Sequence, residues 1–401
     1  MVGWPKGDSV PGIKTISRES KKNMVNKEDE NTMKKAVVIV LALLLILSAG
    51  LVFAGGKKEA VSEKELVEES KVGVAAGTQY PLFDKYREAA TKNEPYPGAP
   101  LKGKVVGFAN IFGTLPFCID VENNIKKHIE LAGGSLSTGW ISMDNQYDSV
   151  IGLKNADIML SRKPDFFIEF QSDEKVNNIV AAKFAAAGIP MLAIDVPVPG
   201  APFMGCNNWG VALEGGRYMA KLIKERWGGW DGVDMVVLGQ MPVGGVVLML
   251  RSEGFAQALS EEFGIATDDP KIVRFDGGMG QSEQAKAGMD DVLAAHPKAK
   301  RIAVTSINEQ TMAGIIAAIQ GAGRWDTDDI IVVTLGVDDL GKSQIRDGLS
   351  DGGVAFFPER YGEYVVPAVA AILQGQAVPP WIYFEPEIIT LENIDKWYPK
   401  K

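Results

Sequence analysis

At 401 residues, with 46% hydrophobic and 23% charged residues, the chain has room for two domains and a sizeable core, which excludes a disordered or fibrous protein. A formal net charge of −9 with no basic stripe to offset it argues against a nucleic-acid partner. Two cysteines, Cys118 and Cys206, are too few for a disulfide-built fold; one bridge between them and two buried free thiols are both open readings.

Lys34 and Lys35 precede Ala36 to Leu47, an uncharged apolar run of signal-peptide length, and Val52-Phe53-Ala54 fits a small-x-small cleavage site. Extended to Val52 the run approaches spanning length, so an uncleaved anchor is the rival reading; Ser48, Gly50 and the fit at Ala54 favour cleavage and export. The polar, aperiodic stretch before Met33 is foreign to such a signal, so the start is expected at Met33. No Cys stands at the cleavage point to carry a lipid. Removing residues 1–54 takes away 8 Lys and Arg and 5 Asp and Glu, leaving a net charge of −12.

Gly55 to Pro100 is polar, closes on Pro95, Pro97 and Pro100, and reads as a tether or loosely packed arm over 55–103. From Lys104 strand and helix signals alternate, the pattern of an α/β fold with parallel sheets. Strands are expected at Lys104–Asn110, Ser135–Ser142, Phe166–Glu169, Met191–Asp195 and Phe203–Gly205, with helices at Asp120–Leu131, Tyr147–Leu160 and Asp173–Ala187. The last of these helices is well marked. Asp173 stands at its start, Val176, Ile179, Val180 and Phe184 keep helical spacing, and Gly188 followed by Pro190 stops it. Glu169 and Asp195 end the two strands that this helix joins, and ligands in open parallel sheets sit at such carboxyl ends. Both are therefore expected to point into one crevice; the competing reading is that strand-end acids cap the next turn.

After Asn207-Asn208 the alternation restarts, which gives two similar α/β domains with a small-molecule cleft between them. Helices are expected at Val211–Trp227, Val246–Phe263, Ser282–His296 and Gln310–Ala322, and strands at Asp234–Leu238, Ile272–Phe275, Arg301–Thr305 and Ile330–Leu335. Strand Val354–Phe357, helix Tyr361–Leu373 and a strand-like run Tyr383–Leu391 close the chain.

Gly336-Val337-Asp338-Asp339-Leu340-Gly341-Lys342-Ser343 fits GxxxxGK[ST] after an apolar strand. Asp338 and Asp339 would set two carboxylates against the phosphates, and the following helix is short, so the plain reading is a solvated first turn with Asp338 at the cleft rim. His128 and His296 are the only histidines, and neither has a partner at ligand spacing; a His-based metal site or catalytic triad has no parts to use, and no cofactor is called for.

Four motifs in order give the chain from Lys104 to about Leu391 a family likeness. Leu115-Pro116-Phe117 stands where the family has Asn-Pro-Phe, and Ala187-Gly188-Ile189-Pro190-Met191 leads to Asp195 as Ala-Gly-Ile-Pro-Val leads to Asp. Arg251-Ser252-Glu253-Gly254-Phe255 resembles Arg-x-x-Gly-Phe, and Asn308-Glu309 with Ala313-Gly314 resembles Asn-Asp with Ala-x-Gly. The chain thus resembles periplasmic solute-binding proteins of the ribose/galactose type, which share their fold with the ligand-binding half of lac-type repressors.

The resemblance implies three crossings between the domains, near Cys206-Asn207, Phe356–Pro358 and Pro379–Tyr383. The domains then comprise 104–206 with 358–379 and 207–357 with 380–401. It implies that Phe117 stacks on a sugar ring, that Asp195 accepts hydroxyls, that Asn308 reaches in from the second domain, and that Glu169 replaces a ligand-binding Asn. Asp338, Phe356 and Trp209 join these as candidates, with Phe112, Phe170 and Phe357 as further lining; Arg251 either meets the ligand or holds a structural salt bridge. The chain departs from the family at Leu115, at Val196 and Met249 where Arg is common, and at Gly336 and Phe356 where Asp and Gln are expected. The function implied is that of an exported, monomeric, non-enzymatic protein that captures a small polar solute, a sugar first of all, and delivers it to an ABC-type permease. A sensing subunit for a chemoreceptor or sensor kinase, or a non-sugar solute, is the alternative. A repressor lacks its helix-turn-helix before Lys104, and an enzyme lacks a nucleophile–base pair.

Overall fold

Alternating apolar runs and amphipathic segments build two six-stranded sheets flanked by helices. The computed structural model describes residues 63–73 and 78–400. The expected signal peptide, its cleavage near Ala54 and the start at Met33 lie outside the described residues. In chain order the strands are β1 (Val106–Asn110), β2 (Trp140–Asp144), β3 (Phe166–Glu169), β4 (Met191–Ile194), β5 (Phe203–Gly205), β6 (Met235–Gln240), β7 (Ile272–Asp276), β8 (Ile302–Ser306), β9 (Ile330–Gly336), β10 (Gly352–Ala355), β11 (Trp381–Tyr383) and β12 (Glu387–Ile389).

The first sheet runs β11-β5-β4-β3-β1-β2 and is parallel throughout. The second runs β12-β10-β9-β8-β6-β7, with β12 antiparallel on its edge. In both sheets the order reverses beside β1 or β6, so the crevice at the carboxyl ends opens where the strands diverge. Phe108, Phe166, Ile168, Leu192 and Ile194 fill one face of the first sheet; Ala109, Phe167 and Ala193 fill the other, beneath the helices Ser149–Arg162 and Glu174–Ala187.

The caps act where the sequence places them. Asp173 accepts from Lys175 N and Val176 N at the start of Glu174–Ala187, and Gly188 ends that helix in the left-handed region at φ +67°. Asn207 accepts from Gly210 N to start Asn208–Trp227. Three stretches cross between the lobes: residues 206–207, residues 356–357 and residues 384–386. After the second crossing the helix Gly362–Leu373 returns to the first lobe and packs on Pro81–Thr91 and Pro116–Leu131.

Several expectations are corrected. Within the polar stretch 55–103, residues form the helices Glu63–Val72 and Pro81–Thr91, and Phe83, Tyr86, Ala89, Ala90, Tyr96 and Leu101 are buried. Their apolar side chains are spaced to one helical face, a signal hidden by the surrounding Lys, Glu and Pro. The expected strand Ser135–Ser142 begins as a short helix, Leu136–Gly139, because Thr138 Oγ1 donates to Ser135 Oγ at 2.9 Å and closes a local turn. The run Tyr383–Leu391 divides: β11 pairs with β5 in the first sheet, Pro386 interrupts, and β12 pairs with β10 in the second. The third crossing therefore follows Tyr383, and Trp381–Tyr383 sit with the first sheet. Cys118 and Cys206 are buried free thiols, and burial pushes the Cys206 thiol up to about 11.

Candidate functional site

The carboxyl ends of both sheets converge on one cavity. The first lobe gives it Phe117, Tyr147, Phe170 and Asp195; the second gives Arg251, Asn308, Glu309, Gln310 and Phe356, with Ile111, Leu115, Met241 and Leu335 between.

Asp195 follows the last residue of β4 and takes a left-handed φ of +60°. That turn aims its side chain into the cavity, and Tyr361 Oη donates to its Oδ1 at 3.0 Å. A Cβ on Gly205 would come within 2.7 Å of the same oxygen, so glycine is required there. Burial pushes the Asp195 carboxyl up to about 6, against the Arg251 guanidinium and the Tyr361 bond, which favour its charge.

Arg251 crosses the hinge side of the cavity. Its Nε donates to Asn208 Oδ1 at 2.7 Å, Nη1 to the Ile307 carbonyl at 3.0 Å and Nη2 to Cys206 Sγ at 3.4 Å. The guanidinium lies 4.9 Å from the centre of the Phe356 ring. These bonds use three of its five N–H groups, and the side chain lines the cavity. Asn308 is first a helix cap: Oδ1 accepts from Thr311 N at 2.9 Å and Nδ2 donates to Gly280 O at 3.0 Å. One N–H and one lone pair remain for the cavity.

The GxxxxGK[ST] loop has a different use. Glu309 places its carboxylate in the loop, where Val337 N donates to it, and Gly336 at φ +122° and Gly341 both leave room for it. Asp338 accepts from Leu340 N at 2.9 Å and Gly341 N at 3.1 Å, and Gln310 Nε2 donates to it at 2.9 Å. The amides that would cradle a phosphate thus hold two of the chain's own carboxylates. Burial, then the Asp338 charge, pushes the Glu309 carboxyl well above the usual range. On the first turn Asp339 and Ser343 are exposed, while Lys342 is half-buried, 4.3 Å from the centre of the Tyr398 ring.

The candidate residues separate accordingly. Phe117, Asp195, Arg251, Asn308, Phe356 and Phe170 line the cavity together. Asp338 is fully buried one step behind it, through Gln310. Trp209 lies on the first turn of Asn208–Trp227, its ring facing Lys71 at 4.5 Å. Phe112 stacks obliquely on Tyr147, and Phe357 packs on Trp397 and Tyr398. Glu169 does not share a crevice with Asp195. It is in register with Ala109 and Ala193, so strand alternation turns it to the helix-covered face, and neither carboxyl oxygen has a hydrogen-bond partner among the described residues. Burial alone pushes it up to about 8. Asp195 escapes that alternation because it lies past the strand end, in a turn.

Sequence reasoning missed Tyr147, Tyr361 and Gln310. Tyr361 starts the helix that follows the second crossing, and that position beside the hinge was its only signal. Tyr147, Asp195, Val337 and Phe357 share a feature: each is a non-glycine residue with φ between +52° and +60°, just past the end of a strand. Such conformations cost on the order of 1–3 kcal/mol each and persist where surrounding contacts fix them.

Residues 106–377 match the periplasmic binding protein domain family. A search of curated proteins finds no match. Among solved structures the chain is similar to an ABC transporter solute-binding protein from Mycobacterium smegmatis with bound glycerol, at 20% identity and TM-score 0.62, covering 74% of this chain and 98% of that one. It is similar to one from Bacillus halodurans C-125 with bound myo-inositol, at 19% identity and TM-score 0.60, covering 74% and 98%. An ABC sugar transporter subunit from Rhodobacter sphaeroides 2.4.1 matches at 23% identity and TM-score 0.59, covering 73% and 100%. These likenesses establish the fold.

Proposed function

Because this chain belongs to the periplasmic binding protein domain family, we propose that it is an extracytoplasmic protein that binds a small polyhydroxylated solute, such as a monosaccharide or polyol, and delivers it to an ABC-type permease. The observation that carries the reading is the convergence of Asp195 from one lobe with Arg251 and Asn308 from the other on a single small cavity, flanked by Phe117 and Phe356. A hydroxyl both donates and accepts, so the free oxygen of Asp195, the spare N–H groups of Arg251 and the spare amide valences of Asn308 serve neighbouring hydroxyls. The C–H faces of a ring pack on Phe117 and Phe356. Contacts from both lobes favour the closed state in proportion to their difference between closed and open forms. The solved relatives named for glycerol and myo-inositol support the solute class. The groups that face the solute hold it in place, so capture without turnover is the reading.

A thermal-shift panel of sugars, polyols, amino acids and nucleosides on the chain from residue 55 tests this. A solute at about 100 times its Kd stabilises the folded state by about 2.7 kcal/mol. A shift confined to amino acids or nucleosides would overturn the solute class.

A further inference from the structure

The helix Glu63–Val72 precedes the family match that begins at residue 106, and it touches both lobes. On the first lobe Tyr383 Oη donates to the Ser70 carbonyl at 2.5 Å. At the first crossing Asn207 Nδ2 donates to the Lys71 carbonyl at 3.0 Å. On the second lobe the Lys71 ammonium sits 4.5 Å from the centre of the Trp209 ring. Leu66 packs against a buried cluster drawn from both sides, Phe203 and Trp381 of the first sheet and Val247 of the second lobe. Those two aromatic residues belong to β5 and β11, the strands at the hinge side of the first sheet.

Rotation of one lobe about residues 206–207, 356–357 and 384–386 would part Val247 from Phe203 and Trp381 and separate Trp209 from Tyr383. A helix fastened to both members of each pair opposes that motion. We propose that Glu63–Val72 is a strap that favours the closed arrangement of the lobes, so that breaking its contacts moves the chain without solute toward an open form. The helix Pro81–Thr91, further along the chain, packs on the first lobe, with the Arg87 guanidinium 3.6 Å from the centre of the Tyr364 ring.

The test is a spin-label distance measurement on the whole chain without added solute, which makes it independent of the proposed function. Labels go on Val150→Cys and Glu283→Cys, exposed positions near the carboxyl ends of β2 and β7, far from the hinge; the native thiols are buried. The background variant Lys71→Ala with Tyr383→Phe is expected to raise the ratio of open to closed populations about five- to tenfold. Arg87→Ala, which removes a contact within the first lobe, is expected to leave the distribution unchanged. An unchanged distribution in the strap variant, or an equal shift in Arg87→Ala, overturns the proposal.

Discussion

Replacing Glu169 with Gln tests how this chain carries a buried acid that its cavity does not use. Neither carboxyl oxygen of Glu169 has a partner among the described residues, and burial moves its proton affinity from the ordinary 4.5 to about 8. Between those values the unfolded chain has released the proton while the folded chain still holds it. Stability from this group is therefore fully present below about 4.5 and is lost as pH rises through about 8. The slope is about 1.4 kcal/mol per pH unit, and the whole window is worth at most about 5 kcal/mol. Gln keeps the size and cannot ionise. Urea unfolding of both proteins is expected to agree within about 1 kcal/mol near pH ~5, and to favour Glu169→Gln by about 3–4 kcal/mol near pH ~8. Other titrating groups are common to both chains and cancel in the difference. Parallel pH profiles would refute the reasoning.

With the carboxyl of Asp195 near 6, solute affinity is expected to fall about tenfold between pH ~7 and pH ~5 as its ionised share declines; calorimetric titration of Asp195→Asn should show weaker binding and no such pH dependence, and an unaltered profile would move the site elsewhere. Tyr361→Phe removes a bond that favours the Asp195 charge, so the midpoint of that pH profile should rise. Gly245 takes φ +82° and a Cβ on it would clash with the Glu174 carboxyl of the facing lobe; Gly245→Ala should cost about 1–2 kcal/mol from backbone strain alone and weaken solute binding beyond its effect on melting, whereas an equal effect on both would show that the contact plays no part in closure.

The sequence disclosed most where one physical signal acted alone. β3 and β5 stand at the expected residues, and Asp173 with Gly188 bounds its helix, because capping and left-handed termination are local. Asp195 was legible from its place at a strand end, whereas Asn308 came from the family resemblance and Arg251 stayed open between ligand contact and structural salt bridge; all three line the cavity. Glu169 was misread for a geometric reason: polar character at a strand end says nothing of which face the side chain takes, and one residue of register decides it. The helices Glu63–Val72 and Pro81–Thr91 escaped notice because their stability comes from surfaces more than a hundred residues away, such as Trp209, Tyr364 and Tyr383. The split of the last strand depends on two different sheets each offering an open edge, which no local pattern reveals.

The loop that holds Glu309 bears on what the cavity refuses. An amide cradle left empty would make this face of the second lobe a trap for phosphate, and a phosphorylated sugar would compete with its parent compound. With Glu309 and Asp338 seated in that cradle, the backbone amides of Val337, Leu340 and Gly341 already have partners, so an incoming phosphate finds no free donors there. A neutral solute makes no demand on that cradle, so a solute of the proposed class is expected to bind more tightly than its phosphate ester.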